Sequence, residues 1–147
     1  MSDDNDNRSL SLKLYVVLHH AFTAVQTEAF KDMKRYNLNP TEFAVLELLY
    51  NKGPQQVQQI GEKVLITSSS ITYVVNNLVK SGLVLKEKYE MDKRVSYVSL
   101  TKTGQNLMDE IFPQHAERLE QVTKGLDAQE KEVMIEMLKN LGKIQDK

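Results

Sequence analysis

The feature that most narrows the fold is a change of rhythm at Gly82. Ahead of it, in TSSSITYVVNNLVKSG (residues 67–82), Ile71, Val74, Val75, Leu78 and Val79 recur at the spacing that lines one face of an α-helix. Behind it, LVLKEK (83–88) and RVSYVSL (94–100) are rich in valine, tyrosine and leucine and read as two β-strands, separated by YEMDK with its turn-forming Asp92. Glycine is the usual residue just past a helix end, so this helix stops and passes directly into a β-hairpin. Its other face and its N-terminal end carry Ser68, Ser69, Thr72, Tyr73, Asn76 and Asn77, a set without a single charge. A surface kept merely soluble would be expected to hold lysine or glutamate.

The segments upstream supply the helices that such a unit packs against. Leu14, Val17, Leu18, Ala21, Phe22 and Val25 form a helical stripe within a long first helix that ends near Tyr36, ahead of Asn37, Asn39 and Pro40. In NPTEFAVLELL, Asn39 suits a helix cap, Pro40 the first helical position and Glu42 the third, from which a carboxylate reaches back to the cap amide. Phe43, Val45, Leu46, Leu48 and Leu49 make this second helix strongly apolar, and Gly53-Pro54 ends it. QQVQQIGEKVL fits a short third helix with Val57, Ile60, Val64 and Leu65 facing inward. Three short, tightly linked helices followed by a hairpin make a helix-turn-helix with a wing, in which residues 67–82 are the second, outward-facing helix. Thr101 caps a helix over roughly 101–124, and Asp127 with Glu130 caps another over 128–144. The expected fold class is mainly α with a small β-wing. Residues 1–9 are expected to be a flexible lead-in, and 10–147 a single domain with the winged helix-turn-helix at about 39–104 and dimerisation helices at about 10–36 and 105–145.

Composition excludes more than it suggests. With 147 residues, 41% of them hydrophobic, the chain suffices for one well-buried domain. The net charge of −1 gives no basic signature, yet residues 60–104 hold seven basic against four acidic side chains, while residues 105–147 hold nine acidic against six basic. The absence of cysteine excludes disulfides, thiolate metal sites and cysteine redox sensing. No glycine-rich phosphate loop, HExxH pair or nucleophile elbow offers a foothold for catalysis, so no enzyme activity and no cofactor are expected. His19, His20 and His115 are the only histidines, and neighbours on one helix point apart, so no metal site is expected either. The acidic N-terminus lacks the regions of a secretory signal and no apolar run approaches the ~18 residues of a membrane span, which leads to the expectation of a cytoplasmic protein without membrane contact.

The residues resemble those of the MarR family of winged-helix transcription regulators over most of the chain. NPTEFAVLELL looks like the family's second helix, QQIGEKVLITSSSITYVVNNLVKSGLV like its helix-turn-helix, and Asp92, Arg94, Val98, Leu100, Thr101 and Gly104 reproduce its wing signature. Within the family, NPTEFAVLELLY and SSSITYVVNNL look most like the branch of repressors that respond to hydroquinones and related aromatics. The family's recognition helix often reads valine, threonine, arginine, any residue, valine, aspartate, arginine, leucine. Here the run is Ile71, Thr72, Tyr73, Val74, Val75, Asn76, Asn77, Leu78, with both arginine positions neutral. That leaves more of the phosphate contact to hydroxyls, backbone amides and the wing.

The resemblance implies a homodimeric repressor that binds a palindromic site on double-stranded DNA and is released by a small aromatic or phenolic ligand. Thr67 or Ser68 would cap the recognition helix, while Ser69, Ser70, Thr72 and Tyr73 meet phosphates or base edges and Asn76 or Asn77 pairs with adenine. At the wing tip Arg94 would enter the minor groove, oriented by Asp92, with Lys93 on a phosphate. The plainer alternative is that serines cap a helix, asparagines face solvent and Asp92–Arg94 is a surface ion pair of little weight. Leu10, Leu14, Val17 and Leu18, with Ile111, Phe112, Leu119, Val122, Val133, Met134, Met137, Leu138 and Leu141, exceed what one small domain should bury and point to a two-fold partner. Tyr15, His19, Phe22, Tyr36 and Phe43 are candidates to line a ligand pocket, although aromatic residues at helical spacing are also ordinary core. The alternative function is a winged-helix module that binds another protein and no DNA.

Overall fold

The computed structural model describes residues 2–64 and 68–143, with backbone alone for Ser2, Ser68 and Ser69. The chain runs α1 (Ser2–Lys34), α2 (Pro40–Lys52), β1 (Gln55–Gln56), α3 (Val57–Val64), α4 (Ser68–Lys80), β2 (Val84–Tyr89), β3 (Asp92–Leu100), α5 (Lys102–Val122) and α6 (Ala128–Gly142). The expected order of helices and hairpin is present, with differences at three places.

Residues 3–9, expected as a flexible lead-in, are the first turns of α1, where Asp3 and Asp4 complement the positive end of the helix dipole. At its other end α1 stops at Lys34, and Asn37 takes the left-handed conformation (φ 60°) that asparagine tolerates. Gln55–Gln56, expected to open the third helix, instead forms a two-residue strand antiparallel to β3, with Gln55 opposite Val98 and Gln56 opposite Tyr97. Two polar residues carry no alternation to announce a strand. The buried Gln55 side chain is held by Lys63 Nζ, which donates to its Oε1 at 2.9 Å. Leu65, expected to face inward from the third helix, lies outside the described residues.

The sheet order is β1-β3-β2. Its core side, carrying Val84 and Val98, meets α2, α3, α4 and the first half of α5, which contribute Phe43, Leu46, Ile60, Val75, Leu78 and Met108; all eight side chains are fully or almost fully buried. Each large aliphatic or aromatic group removed from water here contributes about 1.5–3 kcal/mol before entropy is counted. Val79, expected on this face, sits at its edge and is exposed. The α2 capping box is made as expected: the Glu42 amide donates to Asn39 Oδ1 at 2.7 Å and the Asn39 amide to Glu42 Oε1 at 3.1 Å. Asp127 and Glu130 repeat the device at α6.

The wing signature has a structural reason. Thr101 Oγ1 accepts the Gly104 amide at 3.0 Å, capping α5, and donates to the Gly82 carbonyl at 2.6 Å. A Cβ on Gly104 would lie 2.1 Å from the Leu83 carbonyl oxygen, so only glycine lets α5 start against the beginning of β2.

Beyond this core the molecule is open. Leu10, Leu12, Leu14, Tyr15, Val16, Val17 and Phe22 of α1 are exposed, as are Val133, Met134, Ile135, Met137 and Leu141 of α6. Ile111, counted in the sequence among residues awaiting a partner, is buried in the intramolecular core instead. Phe112 packs on Tyr50, with ring centroids 5.4 Å apart.

Candidate nucleic-acid interface

In α4 the apolar spacing sorts side chains as the sequence dictates. Ile71, Val74, Val75 and Leu78 are buried, and Ser70, Thr72, Tyr73 and Asn76 are exposed, Tyr73 by 69%. Asn77 is half-buried on the flank and its carbonyl accepts the Ser81 hydroxyl, so Asn76 is the asparagine presented outward. Thr67 lies outside the described residues, as do the side chains of Ser68 and Ser69. The helix ends with the Gly82 amide on the Val79 carbonyl and the Leu83 amide on the Leu78 carbonyl, both at 3.0 Å, with Gly82 at φ 76°. This pattern satisfies the last carbonyls of the helix and aims the chain into β2.

The hairpin tip is tighter than the expected five-residue turn, with Glu90 and Met91 alone joining paired Tyr89 and Asp92. Between Lys88 and Tyr89 the register jumps from Ser96 to Asp92, so Lys93, Arg94 and Val95 bulge from β3 without facing residues on β2. Asp92 secures the bulge. Its Oδ1 accepts the Arg94 amide and Nε, both at 3.0 Å, and its Oδ2 accepts Arg94 Nη2 at 3.2 Å. These bonds from Arg94, side chain first and backbone second, hold the Asp92 carboxyl below the usual aspartate range. The Arg94 side chain remains 90% exposed, and Lys93 beside it is exposed as well. At the root of the wing Gln56 Nε2 donates to Tyr97 Oη at 3.1 Å, and Tyr97 packs edge-on against Tyr89.

The two sets meet. Thr72 of α4 and Arg94 of the wing line one notch of about 430 Å³, together with Gln58, Lys86 and Ser96. Neither Gln58 nor Lys86 is singled out by the sequence motifs. The alternation of β2 does contain the signal for Lys86, which stands two residues from buried Val84 and opposite buried Val98.

The five candidate ligand-pocket residues are not brought together within one chain. Tyr15, His19 and Phe22 lie on the exposed surface of α1, whereas Phe43 is fully buried and Tyr36 packs against the core. Tyr36 and Phe43 instead flank a buried polar pair that the sequence does not announce. His115 Nδ1 of α5 lies 2.9 Å from Asp32 Oδ2 of α1, and both side chains are almost wholly buried. Arg35 Nη1 donates to Asp32 Oδ1 at 3.0 Å, the Tyr36 hydroxyl lies 3.3 Å from Oδ2, and the Phe43 ring packs 4.4 Å from the imidazole. Burial, and then the charge of Asp32, raises the Tyr36 hydroxyl above its ordinary pKa. Glu47, one turn beyond Phe43 on α2, is also raised by burial, against an opposing pull from His115.

The MarR family's sequence profile matches residues 38–96, from the end of the α1–α2 connection into β3 of the wing. The HTH-type transcriptional regulator MhqR of Bacillus subtilis is 44% identical over 132 residues, covering 90% of this chain and 91% of that protein. YkoM, an uncharacterised HTH-type transcriptional regulator of the same organism, is 39% identical over 97% of this chain and 92% of its own length. Among solved structures, NadR in complex with 4-hydroxyphenylacetate superposes with a TM-score of 0.74 at 25% identity, covering 88% of this chain and 92% of that one. Full-length similarity at this identity, on the fold built above, places the chain in the MarR family.

Proposed function

We propose that this protein is a homodimeric, sequence-specific DNA-binding transcription regulator, acting as a repressor at a palindromic operator and released by a small aromatic ligand. The observation that carries the reading is the shared notch of Thr72 and Arg94, which puts the uncharged face of α4 and the arginine of the wing on one surface. A helix seated in the major groove beside a hairpin in the adjacent minor groove requires that arrangement. Thr72, Tyr73 and Asn76 then read base edges and methyl groups, and Arg94, oriented by Asp92, enters the narrow electronegative groove.

The dimer is supported by the apolar side chains that α1 and α6 leave in water. On α1, Leu10, Leu14 and Val17 lie on one side and Leu12, Tyr15 and Phe22 on others, and a helix apolar around its circumference needs cover. A two-fold partner supplies it and sets two copies of α4 about 34 Å apart, one turn of DNA. Release by an aromatic ligand is supported by the resemblance to the hydroquinone-responsive branch and by the phenolic compound bound to NadR. Such a ligand acts by binding the released state more tightly than the DNA-bound state.

Selection of bound sequences from random duplex DNA tests the reading. Enrichment of a palindrome with half-sites one helical turn apart is expected. Enrichment of no sequence would favour a module that binds protein.

A further inference from the structure

We infer that Lys86 is a phosphate-binding residue and that the notch between α4 and the wing seats the single DNA strand separating the two grooves. The inference rests on the DNA-binding reading above and deepens it. If α4 occupies the major groove and Arg94 the neighbouring minor groove, one phosphodiester strand has to pass between them. The notch of about 430 Å³ lies at that place.

Its chemistry suits a polyanion. The described residues lining it offer the Lys86 ammonium, the Arg94 guanidinium, the hydroxyls of Thr72 and Ser96 and the amide of Gln58, and no carboxylate. Lys86 shares the inner face of the hairpin with Val84 and Val98, whereas Glu87, its neighbour, is paired with Tyr97 on the other face. Among the described residues no carboxylate forms an ion pair with Lys86, in contrast to Arg94, which Asp92 holds. From Ser68 to Val79, α4 contains no basic residue, so the cations that neutralise this strand have to come from outside the recognition helix. Lys86 is the lysine that the fold turns toward it.

The test uses the full-length protein, the operator enriched from random DNA, and duplexes in which single phosphates are replaced by uncharged methylphosphonates. Lys86→Ala is expected to weaken binding to operator and non-operator DNA by the same factor. It is also expected to flatten the slope of log K against log salt by roughly 0.9 per subunit. Lys86→Arg should keep the slope, and Lys102→Ala, a change at an exposed lysine outside the notch, should leave it unaltered. In each half-site one methylphosphonate, between the bases met by α4 and the minor groove met by Arg94, should weaken the wild type yet cost Lys86→Ala nothing further. An unchanged slope in a Lys86→Ala protein that melts like wild type would overturn the inference, as would methylphosphonates that cost both proteins equally at every position. Both outcomes leave the DNA-binding reading standing, whereas a wild type that binds no duplex at all would overturn both.

Discussion

Asp92 grips Arg94 through two side-chain hydrogen bonds, Nε to Oδ1 at 3.0 Å and Nη2 to Oδ2 at 3.2 Å, and still leaves the arginine 90% exposed. An ion pair so open to water adds little to folding stability. What it does is limit the rotamers of a long side chain, so that less entropy is lost when the guanidinium enters a groove. Arg94→Ala is therefore expected to lower operator affinity by roughly 5- to 150-fold and to reduce its salt dependence, as measured by anisotropy titrations across a salt series. Asp92→Asn should give a smaller loss with the salt slope retained. Because Arg94 depresses the Asp92 pKa, the brace is complete above the ordinary aspartate range and is lost only as pH falls through the lowered value. Wing-dependent affinity should accordingly be flat through neutral pH on this account.

The approach of Gly104 to Leu83 makes a second prediction. Gly104→Ala places a methyl group 2.1 Å from a backbone oxygen that cannot rotate away. The start of α5 or the base of β2 has to shift, at a cost of about 1–3 kcal/mol by the usual penalty for overpacking. Urea unfolding should show the lowered midpoint.

Asp32 and His115 join α1 to α5 across 83 positions of sequence through a buried bond of 2.9 Å. Removing one partner leaves the other buried without it, so Asp32→Ala is expected to cost about 3–5 kcal/mol, comparable to losing a large core residue. Arg35 and Tyr36 lose their acceptor in the same variant. Thermal unfolding followed by circular dichroism measures it, and a loss no larger than that of a surface substitution would contradict the role assigned to the pair.

Glu47 reports on the same region through pH. Burial lifts its pKa above that of the unfolded chain, with His115 pulling the other way. Its contribution to stability is therefore whole below the ordinary glutamate pKa and is lost as pH rises through the elevated one. Glu47→Gln should melt a few degrees above wild type near neutral pH, with the gap closing in acid.

What could be read from the sequence was whatever local chemistry or a short period encodes. The Asn39–Glu42 and Asp127–Glu130 capping boxes, the buried stripe of α4 apart from Val79, and the two strands of the hairpin are each decided within a few residues, and the structure contains them. Gln55–Gln56 becomes a strand because β3, some forty residues later, offers it an edge, and no pattern of two residues can signal that. Ile111 looked surplus because periodicity shows that a helix has an apolar face without showing which neighbour covers it; α5 turns that position into the core. Asp32 and His115 are distant, unremarkable polar residues until the fold closes over them. Lys86 was legible in principle, through its phase with Val84, but a count of charges conceals which face each charge occupies.

Dimethyl sulfate footprinting of the enriched operator tests the central claim most directly, because the reagent methylates guanine N7 in the major groove and adenine N3 in the minor groove. The wild type is expected to protect both classes of site in adjacent stretches of each half-site, and Arg94→Ala to lose the minor-groove protections alone. Protection confined to one groove, or a wild-type pattern that survives intact in Arg94→Ala, would contradict the joint engagement of α4 and the wing.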